Sequence, residues 1–266
     1  MNFQQKLDKI VKKNNSFVCV GLDSDVEKLS NKFRKIKDGQ FKFNKWIIDQ
    51  THDLVCGYKP NSAFYEGQGV EGIKQLKLTC DYIRLHHPEI CLILDYKRGD
   101  IGNTNNGYVR FAFDFLKSDA VTVIPYMGIE ALQAFLNKKD KGIIIGCHSS
   151  NPGAKEFQEL MVSDDEPLYL KIAQDIALKW NKKGNCMVFV GATYPEEMRK
   201  VRKIIGEMTI LSPGINVQGG QVENIVKGGL NSKKSGMIIN SSRGIIFAKN
   251  PREETRKLRD EINKYR

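Results

Sequence analysis

A dense group of charged residues follows the apolar run "ICLIL" in the stretch "LDYKRGDIGNT", residues 94–104. Asp95, Lys97, Arg98 and Asp100 place four ions within six positions. Alternate residues of a β-strand face the same side, so Asp95 and Lys97 are expected to point the same way. Burying ions is costly. A strand that ends in so many of them indicates either a solvated, salt-bridged end or a site for chemistry.

Lys59, in the stretch "YKPN", ends the preceding apolar run and is expected to lie beside these residues. An alternating array of Lys59, Asp95, Lys97 and Asp100 would result. Opposite charges at close range keep each lysine protonated and each aspartate ionised. Fixed charge of this kind can stabilise the charge that develops during a reaction. Structural ion pairs are also common, so this stretch alone leaves a purely structural interpretation open.

Two later segments have the character of a phosphate site. "SPGINVQGGQ" (212–221) is rich in glycine, and "NSSRGI" (240–245) places Arg243 directly after an apolar run. Backbone N–H groups of such loops can bind phosphate, and an arginine adds a bidentate contact. The alternative is two ordinary turns with a surface arginine.

Two other polar stretches are better explained by local structure. In "CHSSNPGAKEF" (147–157), Ser149 and Ser150 could hydrogen-bond a planar ring, but turns or a helix cap are favoured. "GATYPEE" (191–197) indicates the start of a helix, with Pro195 in its first turn.

Short apolar runs recur along the whole chain, and each ends in polar or glycine residues. Continuous apolar strands indicate a sheet that is buried on both faces, and therefore a parallel one. Eight such runs are present: "FVCVGLD" (17–23), "LVCGYKPN" (54–61), "CLILDYK" (91–97), "AVTVIPY" (120–126), "GIIIGCH" (142–148), "CMVFVGA" (186–192), "TILSPGI" (209–215) and "GMIINSS" (236–242).

The segments between these runs carry helical periodicity, as in "FKFNKWIIDQTHDL" and "PEEMRKVRKII". Strands that alternate with helices predict βαβ units. Eight strands in one domain-sized chain favour a closed (β/α)8 barrel, the TIM-barrel fold, which has about 250 residues. In that fold the active residues lie at the carboxyl ends of the strands. The charged clusters above occupy such positions.

We expect residues 1–266 to form a single barrel domain. An N-terminal helix, "NFQQKLDKIVKKN", is expected to cover the bottom of the barrel. The longest inserts are residues 24–43 and 149–168, and no role is predicted for 24–43 or for 155–168. Linkers or low-complexity stretches that would indicate a second domain are not evident.

The composition is that of an ordinary globular protein, with 41% hydrophobic and 27% charged residues. Apolar runs that approach the roughly 20 residues needed to span a bilayer are absent, and the N-terminus lacks the apolar region of a secretory signal. We therefore expect a cytoplasmic protein without a membrane partner. The net charge of +11 is spread over helical segments. It favours an anionic ligand over nucleic acid.

The six cysteines and four histidines lack metal-ligand or redox spacing. Four of the cysteines, Cys19, Cys91, Cys147 and Cys186, lie in or beside apolar runs. Buried reduced thiols are therefore expected, and no metal site is predicted.

The motifs together resemble a known family. "DYKRGDIGNT" contains the D-x-K-x-x-D pattern of orotidine 5′-monophosphate decarboxylases. "KRGDIGNT" and "GATYPEE" resemble a longer subgroup of that family, found in some bacteria and in apicomplexan parasites. The other blocks that match, in order along the chain, are "GLD" (21–23), "YKPN" (58–61), "SNPGA" (150–154), "SPGINVQGG" (212–220) and "SSRGI" (241–245).

The resemblance implies a specific reaction. Orotidine 5′-monophosphate would lose CO2 to give uridine 5′-monophosphate, the last step of pyrimidine nucleotide synthesis. It also implies a homodimer, no metal and no organic cofactor. A fusion or partnership with orotate phosphoribosyltransferase occurs in the family and is left open here.

The resemblance also implies roles for individual residues. Lys97 would protonate C6 of the pyrimidine as CO2 leaves, Asp95 would lie against the substrate carboxylate, and Lys59 would bridge the ribose and Asp95. Asp100 and Thr104 would reach into the site of the neighbouring subunit. The remaining substrate-binding residues that the resemblance implies are Asp23 and Asn61 for the ribose, Ile101 beside the reacting carboxylate, Ser150 for the pyrimidine edge, and Pro213, Gln218, Gly219 and Arg243 for the phosphate and its loop.

Two alternatives remain. The D-x-K-x-x-D pattern is shared with 3-keto-hexulose-phosphate synthases, which would need a divalent metal and an extra acidic ligand near "GYKPN". A basic RNA-binding protein would account for the net charge of +11. It would show RNA affinity that falls with salt, but it would leave the Asp–Lys array unexplained.

Overall fold

The structure is a computed structural model that describes residues 1–215 and 221–266. Over these residues ten strands are present, and eight of them close into a parallel barrel. The strands are β1 (Val18–Gly21), β2 (Gly57–Lys59), β3 (Cys91–Arg98), β4 (Ala120–Val123), β5 (Gly142–His148), β6 (Met161–Ser163), β7 (Glu166–Pro167), β8 (Cys186–Val190), β9 (Ile210–Pro213) and β10 (Met237–Ser241).

The barrel closes between its first and last strands. Its order is β1–β10–β9–β8–β5–β4–β3–β2, and β1 pairs with β10 on one side and with β2 on the other. The residues of β1, β4, β5 and β8 are all buried. This burial is why these strands are continuously apolar, since one face packs inside the barrel and the other packs under helices. The predicted (β/α)8 barrel is confirmed.

Helices separate the strands. Two of them continue into a π-helical turn, at Arg110–Phe115 and Ile176–Trp180. The α-helices are α1 (Phe3–Asn14), α2 (Asn31–Arg34), α3 (Gly39–Thr51), α4 (Ala63–Glu66), α5 (Gly69–His86), α6 (Gly102–Val109), α7 (Gly128–Leu136), α8 (Ala154–Phe157), α9 (Leu168–Asp175), α10 (Pro195–Ile205), α11 (Gln221–Gly229), α12 (Arg243–Ile246) and α13 (Pro251–Asn263).

Helix α1 covers the bottom of the barrel, as expected. Asn2 begins it with a capping box that includes Gln5. The backbone N–H of Phe3 donates to the carbonyl of Asp140 at 2.9 Å, just before β5. A Cβ at Gly142 would lie 2.6 Å from the Phe3 ring, so a glycine there makes room for the helix.

The insert after β5 contains the short helix α8, in the segment that the favoured helix cap precedes, and the antiparallel pair β6–β7, which the sequence did not predict. Gln158 ties it to the barrel, because its Oε1 accepts the backbone N–H of Ser149 at 2.7 Å and its Nε2 donates to the Ser149 hydroxyl at 2.9 Å. The predicted turn role of Ser149 is consistent with these contacts. Helix α10 begins with Pro195 in its first turn, as predicted.

All six cysteines are buried and unbonded, as expected. Burial raises the pKa of the Cys19 thiol to about 12. Within the described residues no helix is both long enough and apolar enough to cross a membrane.

Candidate active site

Two lysines flank one aspartate at the carboxyl ends of β2 and β3. Lys59 Nζ donates to Asp95 Oδ2 at 2.5 Å, and Lys97 Nζ donates to Asp95 Oδ1 at 2.6 Å. Asp95 and Lys97 are two residues apart on β3 and both reach the same carboxylate group, as expected, although the regular pairing of β3 with β4 is interrupted between Leu94 and Arg98. The structure therefore brings together three members of the predicted array.

Burial differs sharply within this group. The side chains of Lys59 and Asp95 are 3% and 8% exposed, whereas that of Lys97 is 46% exposed. Burial acts to lower the pKa of Lys59, but the charges of Asp95 and Asp23 outweigh it and hold that pKa well above its ordinary value. Burial acts to raise the pKa of Asp95, but Lys59 and Lys97 outweigh it and hold that pKa well below its usual range. Lys59 and Asp95 are thus both ionised, and the group lies open to the barrel mouth through the half-exposed Lys97.

Asp23, just after β1, has unused hydrogen-bonding capacity. Its Oδ1 is buried and has no hydrogen-bond partner among residues 1–215 and 221–266. Buried polar atoms are almost always hydrogen-bonded, so an atom of this kind needs an explanation. The charge of Asp23 acts on Lys59, which places it beside the Lys–Asp–Lys group. An external hydroxyl or amine donor would satisfy this oxygen.

Asp100 does not join the array within one chain, which corrects the four-member array expected from residue spacing. It forms no ion pair with a described residue. Its Oδ1 accepts the backbone N–H of Ile101 at 2.7 Å, and its side chain is exposed. Ile101 and Thr104 at the start of α6 are exposed as well. Asn105 fixes this loop, since its Nδ2 donates to the carbonyl of Asp100 and, at 2.6 Å, to that of Ala131.

Asn61 lies next to the array, but its side chain has a local role. Its Oδ1 accepts the backbone N–H of Ala63 at 3.1 Å, at the start of α4. Its backbone forms a parallel bridge with that of Asp95. Ser62 extends this link by donating its backbone N–H to the carbonyl of Asp95 at 3.0 Å.

The ends of β9 and β10 hold the residues predicted for phosphate. Pro213 ends β9, and Gly214 follows with a φ of 91°, which favours glycine. Arg243 begins α12 directly after β10, is exposed, and forms no ion pair within the described part of the chain. Gln218 and Gly219 lie outside the described residues.

Ser150 lies across the mouth from β3, close to the β8 and β9 ends. A Cβ on Gly191 would lie 2.7 Å from the backbone nitrogen of Ser150, and a Cβ on Gly214 would lie 3.9 Å from its hydroxyl oxygen. Ser150 is exposed. Its position is compatible with contact to a ligand in the mouth.

An apolar cavity of about 530 Å³ opens beside Lys97. Ile124 contributes from the residue directly after β4, Gly146 and Phe189 contribute from β5 and β8, and Phe157 contributes from the insert. A flat, weakly polar ring could be held there next to the Lys97 ammonium. Within the described residues, no group of three or more His, Cys, Asp or Glu side chains is arranged to hold a metal ion.

The sequence did not single out Thr122 on β4. Its hydroxyl contacts the Asp95 carboxylate at 2.9 Å and the backbone N–H groups of Tyr96 and Lys97 at 3.1 Å each. A single threonine in the run "AVTVIPY" is the only sequence signal for it, and threonine is common in strands for packing reasons.

Fold and site together define a class. The chain is a parallel (β/α)8-barrel enzyme whose charged Lys–Asp–Lys group lies at the carboxyl ends of the strands, where active sites of this fold are found. The model of the "Orotidine 5'-phosphate decarboxylase / HUMPS family" matches residues 16–258. The chain belongs to this family.

Relatives match along the whole chain. An orotidine 5'-phosphate decarboxylase of Cellvibrio japonicus is 43% identical over 252 residues, which cover 94% of this chain and 91% of the relative. One of Janthinobacterium sp. (strain Marseille) is 41% identical and covers 100% of this chain and 99% of the relative.

Solved structures agree with the fold. The OMP decarboxylase of Leishmania donovani is 35% identical, with a TM-score of 0.89, covering 100% of this chain and 98% of the other. The UMP synthase of the same organism is 37% identical, with a TM-score of 0.91, and the match covers 100% of this chain but 56% of the other. A putative orotidine-monophosphate-decarboxylase of Toxoplasma gondii is 36% identical, with a TM-score of 0.91, covering 99% of this chain and 96% of the other.

Proposed function

We propose that the chain converts orotidine 5′-monophosphate to uridine 5′-monophosphate and CO2, with Lys97 as the proton donor. The observation that carries this proposal is the Lys59–Asp95–Lys97 group, in which one buried carboxylate holds two ammonium groups at 2.5 and 2.6 Å. The reaction needs a positive charge and a proton at one carbon of a flat ring, and this group presents both beside an apolar cavity.

The chemical step balances with Lys97 alone. The bond between C6 and the carboxylate carbon breaks, its electron pair stays on C6, and CO2 departs. The Lys97 ammonium then gives a proton to C6, so that the ring gains one hydrogen and the lysine becomes neutral. Its partial exposure lets it recover a proton from water before the next turnover. General acid catalysis of this kind contributes about 10²–10⁴-fold.

Asp95 and Lys59 prepare this step. Asp95 fixes the position of the Lys97 Nζ, because the Asp95 carboxylate is itself ionised and held by Lys59 from the other side. A fixed ammonium of this kind stabilises the carbanion-like charge without having to reorganise as the charge develops. The substrate carboxylate would lie against Asp95, and it leaves as neutral CO2.

The remaining predicted residues bind the substrate away from C6. Asp23 accepts a ribose hydroxyl through its buried Oδ1, which has no partner in the described part of the chain, and Arg243 pairs with the phosphate. Binding of the remote phosphate provides energy that can be used at C6. The other substrate contacts we propose are those of Asn61, Ile101, Ser150, Pro213, Gln218 and Gly219.

A homodimer would complete the site. Asp100 and Thr104 are exposed at the start of α6, and Ile101 between them is 54% exposed although apolar. We propose that this surface packs against a second copy, so that Asp100 and Thr104 reach its site. Three further expectations stay predictions. They are a partnership with orotate phosphoribosyltransferase, a single domain over residues 1–266 and a cytoplasmic location.

The synthase alternative fits the site less well. It calls for an acidic metal ligand near the end of β2, and the residue at that end is Lys59, which is buried and paired with Asp95. An ammonium at this position opposes the binding of a divalent cation at the same place.

The proposal is tested by incubating the purified chain with orotidine 5′-monophosphate and EDTA while the absorbance of the orotate ring is followed. We expect turnover, and a fall on the order of 10³-fold in Lys97→Ala. A folded wild-type protein without turnover would contradict the proposal. Sugar phosphates with Mg²⁺ would then be tested. A Lys97→Ala variant with near wild-type kcat would remove Lys97 as the proton donor.

A further inference from the structure

We propose that Thr122 is a positioning residue that sets the place of both Asp95 and Lys97 through its single hydroxyl group. This inference deepens the proposed function and rests on it, because it concerns the same Lys–Asp–Lys group. Thr122 lies on β4 and is 1% exposed, so it acts on the reaction through its neighbours and not by touching substrate.

The pairing of β3 with β4 is irregular beside Thr122. Leu94 pairs with Val121, and the next pair is Arg98 with Val123. Three residues of β3 therefore face one residue of β4, and that residue is Thr122. A bulge of this kind bends the strand and changes the direction of its side chains. It also removes the ladder hydrogen bonds that the extra residues would have made.

The Thr122 hydroxyl replaces these lost bonds. Its Oγ1 accepts the backbone N–H of Tyr96 and that of Lys97, each at 3.1 Å. Arg98 completes the set, because its Nη1 donates to the carbonyl of Tyr96 at 3.1 Å. Side chains thus hold the bulge where a regular ladder would otherwise hold the strand.

The direction of the hydrogen bond between the Thr122 hydroxyl and Asp95 follows from the number of lone pairs and protons on a hydroxyl group. A hydroxyl has two lone pairs and one proton. The two N–H groups occupy the lone pairs, so the Thr122 proton is directed to Asp95 Oδ1, which lies 2.9 Å away. That same oxygen accepts the Lys97 ammonium at 2.6 Å. One hydroxyl therefore fixes the Asp95 carboxylate and the backbone of Lys97 together.

The backbone of Lys97 needs such support. Its φ is 47°, in the left-handed region that residues with a Cβ rarely adopt. Strained backbone of this kind persists only where its surroundings hold it. Without the Thr122 hydroxyl, two backbone N–H groups of the bulge lose their acceptor, and we expect Lys97 to relax toward an extended conformation that moves its Nζ away from Asp95.

The decisive variant is Thr122→Val, which keeps the shape and removes the hydroxyl. We expect kcat for orotidine 5′-monophosphate to fall about 10- to 100-fold, since a misplacement of about 1 Å can cost that much. KM should stay within about threefold, because the phosphate and ribose contacts lie elsewhere. Thr122→Ser, which restores the hydroxyl, should keep kcat within about threefold of the wild type.

Thr209→Val is the matched control. Thr209 is also 1% exposed and also donates one side-chain hydrogen bond, to Gln4 Oε1 at 2.8 Å, but at the bottom of the barrel. Its loss should leave kcat and KM unchanged. A folded Thr122→Val protein with wild-type kcat, or a Thr122→Ser protein as slow as Thr122→Val, would overturn the inference. If Thr122→Val does not fold, Thr122→Cys serves in its place, and an unchanged kcat would overturn the inference equally.

A crystal structure of the same variant separates this inference from the proposed function. We expect Lys97 to leave its positive φ and its Nζ to move away from Asp95 Oδ1. An unchanged Lys97 would refute the positioning role whatever the substrate proves to be. Conversely, a displaced Lys97 in a protein whose wild type does not turn over orotidine 5′-monophosphate would support the positioning role and contradict only the proposed function.

Discussion

A lysine–aspartate ion pair lies beside each end of strand β3, and the two pairs are built differently. At the bottom, Lys6 Nζ lies 2.6 Å from Asp119 Oδ2, and that carboxylate oxygen also accepts the backbone N–H of Leu92 at 2.9 Å. At the mouth, Lys59 and Lys97 share the carboxylate of Asp95. Both ends use the same chemical groups, so the difference lies in their arrangement.

The bottom pair is balanced and internally satisfied. One lysine meets one aspartate, their side chains are 12% and 14% exposed, and the pair joins helix α1 to the start of β3 and β4. The mouth group has two lysines on one carboxylate and a left-handed backbone at Lys97. It lies beside an Asp23 oxygen that lacks a partner among the described residues. The group at the mouth therefore has hydrogen-bonding capacity and charge that a ligand can use.

The two ends of β3 show how a structural ion pair differs from a functional one. Charged residues at a strand end do not decide the question, because both ends of β3 have them. A functional pair is recognised by unequal burial, backbone strain and unsatisfied polar atoms. A pair that serves only stability gains nothing from these features.

The largest difference in activity is expected between two variants that each remove the carboxylate charge at one end of β3. Asp95→Asn leaves both lysines without their carboxylate, and we expect kcat/KM to fall on the order of 10²–10³-fold. Asp119→Asn is the matched control and should leave kcat/KM within about twofold, since its site is remote from the mouth. Steady-state kinetics on both folded variants measure the contrast. Equal losses of kcat/KM in the two variants would refute the distinction between a functional pair at the mouth and a structural pair at the bottom.

Local sequence pattern was sufficient to predict the barrel and the core of the site. Each of the eight apolar runs contains one barrel strand, to within one residue at the end of β3, because a strand buried on both faces is apolar along its length. Alternation along β3 predicted that Asp95 and Lys97 meet; they do so, but across a bulge in which Lys97 has a φ of 47°. Both inferences depend only on residues that are neighbours in the chain.

Features that depend on pairing between distant segments were not predictable in the same way. The β3–β4 bulge depends on the register of two strands, and Thr122 acquires its contacts only through that bulge. Asp100 was placed in the array by its spacing, whereas the turn after β3 directs it outward. Helix α5 was expected only as the connection between β2 and β3, and its buried face, which includes Gly72 and Thr79, lacks a continuous apolar stripe.

A moderate effect is expected at the opposite side of the mouth. Arg243→Ala removes the cation next to the proposed phosphate position, and hydrogen bonds to charged groups contribute about 1.5–3 kcal/mol. We therefore expect kcat/KM for orotidine 5′-monophosphate to fall about 10- to 150-fold. Arg252→Ala is the control, because Arg252 pairs with Asp53 at 2.7 Å on another part of the surface. Wild-type affinity for uridine 5′-monophosphate in Arg243→Ala, measured by calorimetry, would exclude the phosphate role.

The smallest effect should appear at the bottom pair, and in stability alone. Lys6→Met leaves Asp119 partly buried without its cation, which should lower the free energy of unfolding by about 1–3 kcal/mol. Lys9→Met is the matched control, since Lys9 is exposed on the same helix and pairs with no described residue; it should change stability by less than about 0.5 kcal/mol. Denaturant unfolding measures both, and kinetics on the folded Lys6→Met protein should match the wild type. If Lys6→Met slowed turnover while leaving stability unchanged, the bottom pair would be coupled to the mouth, and the division between a structural and a catalytic end of β3 would fail.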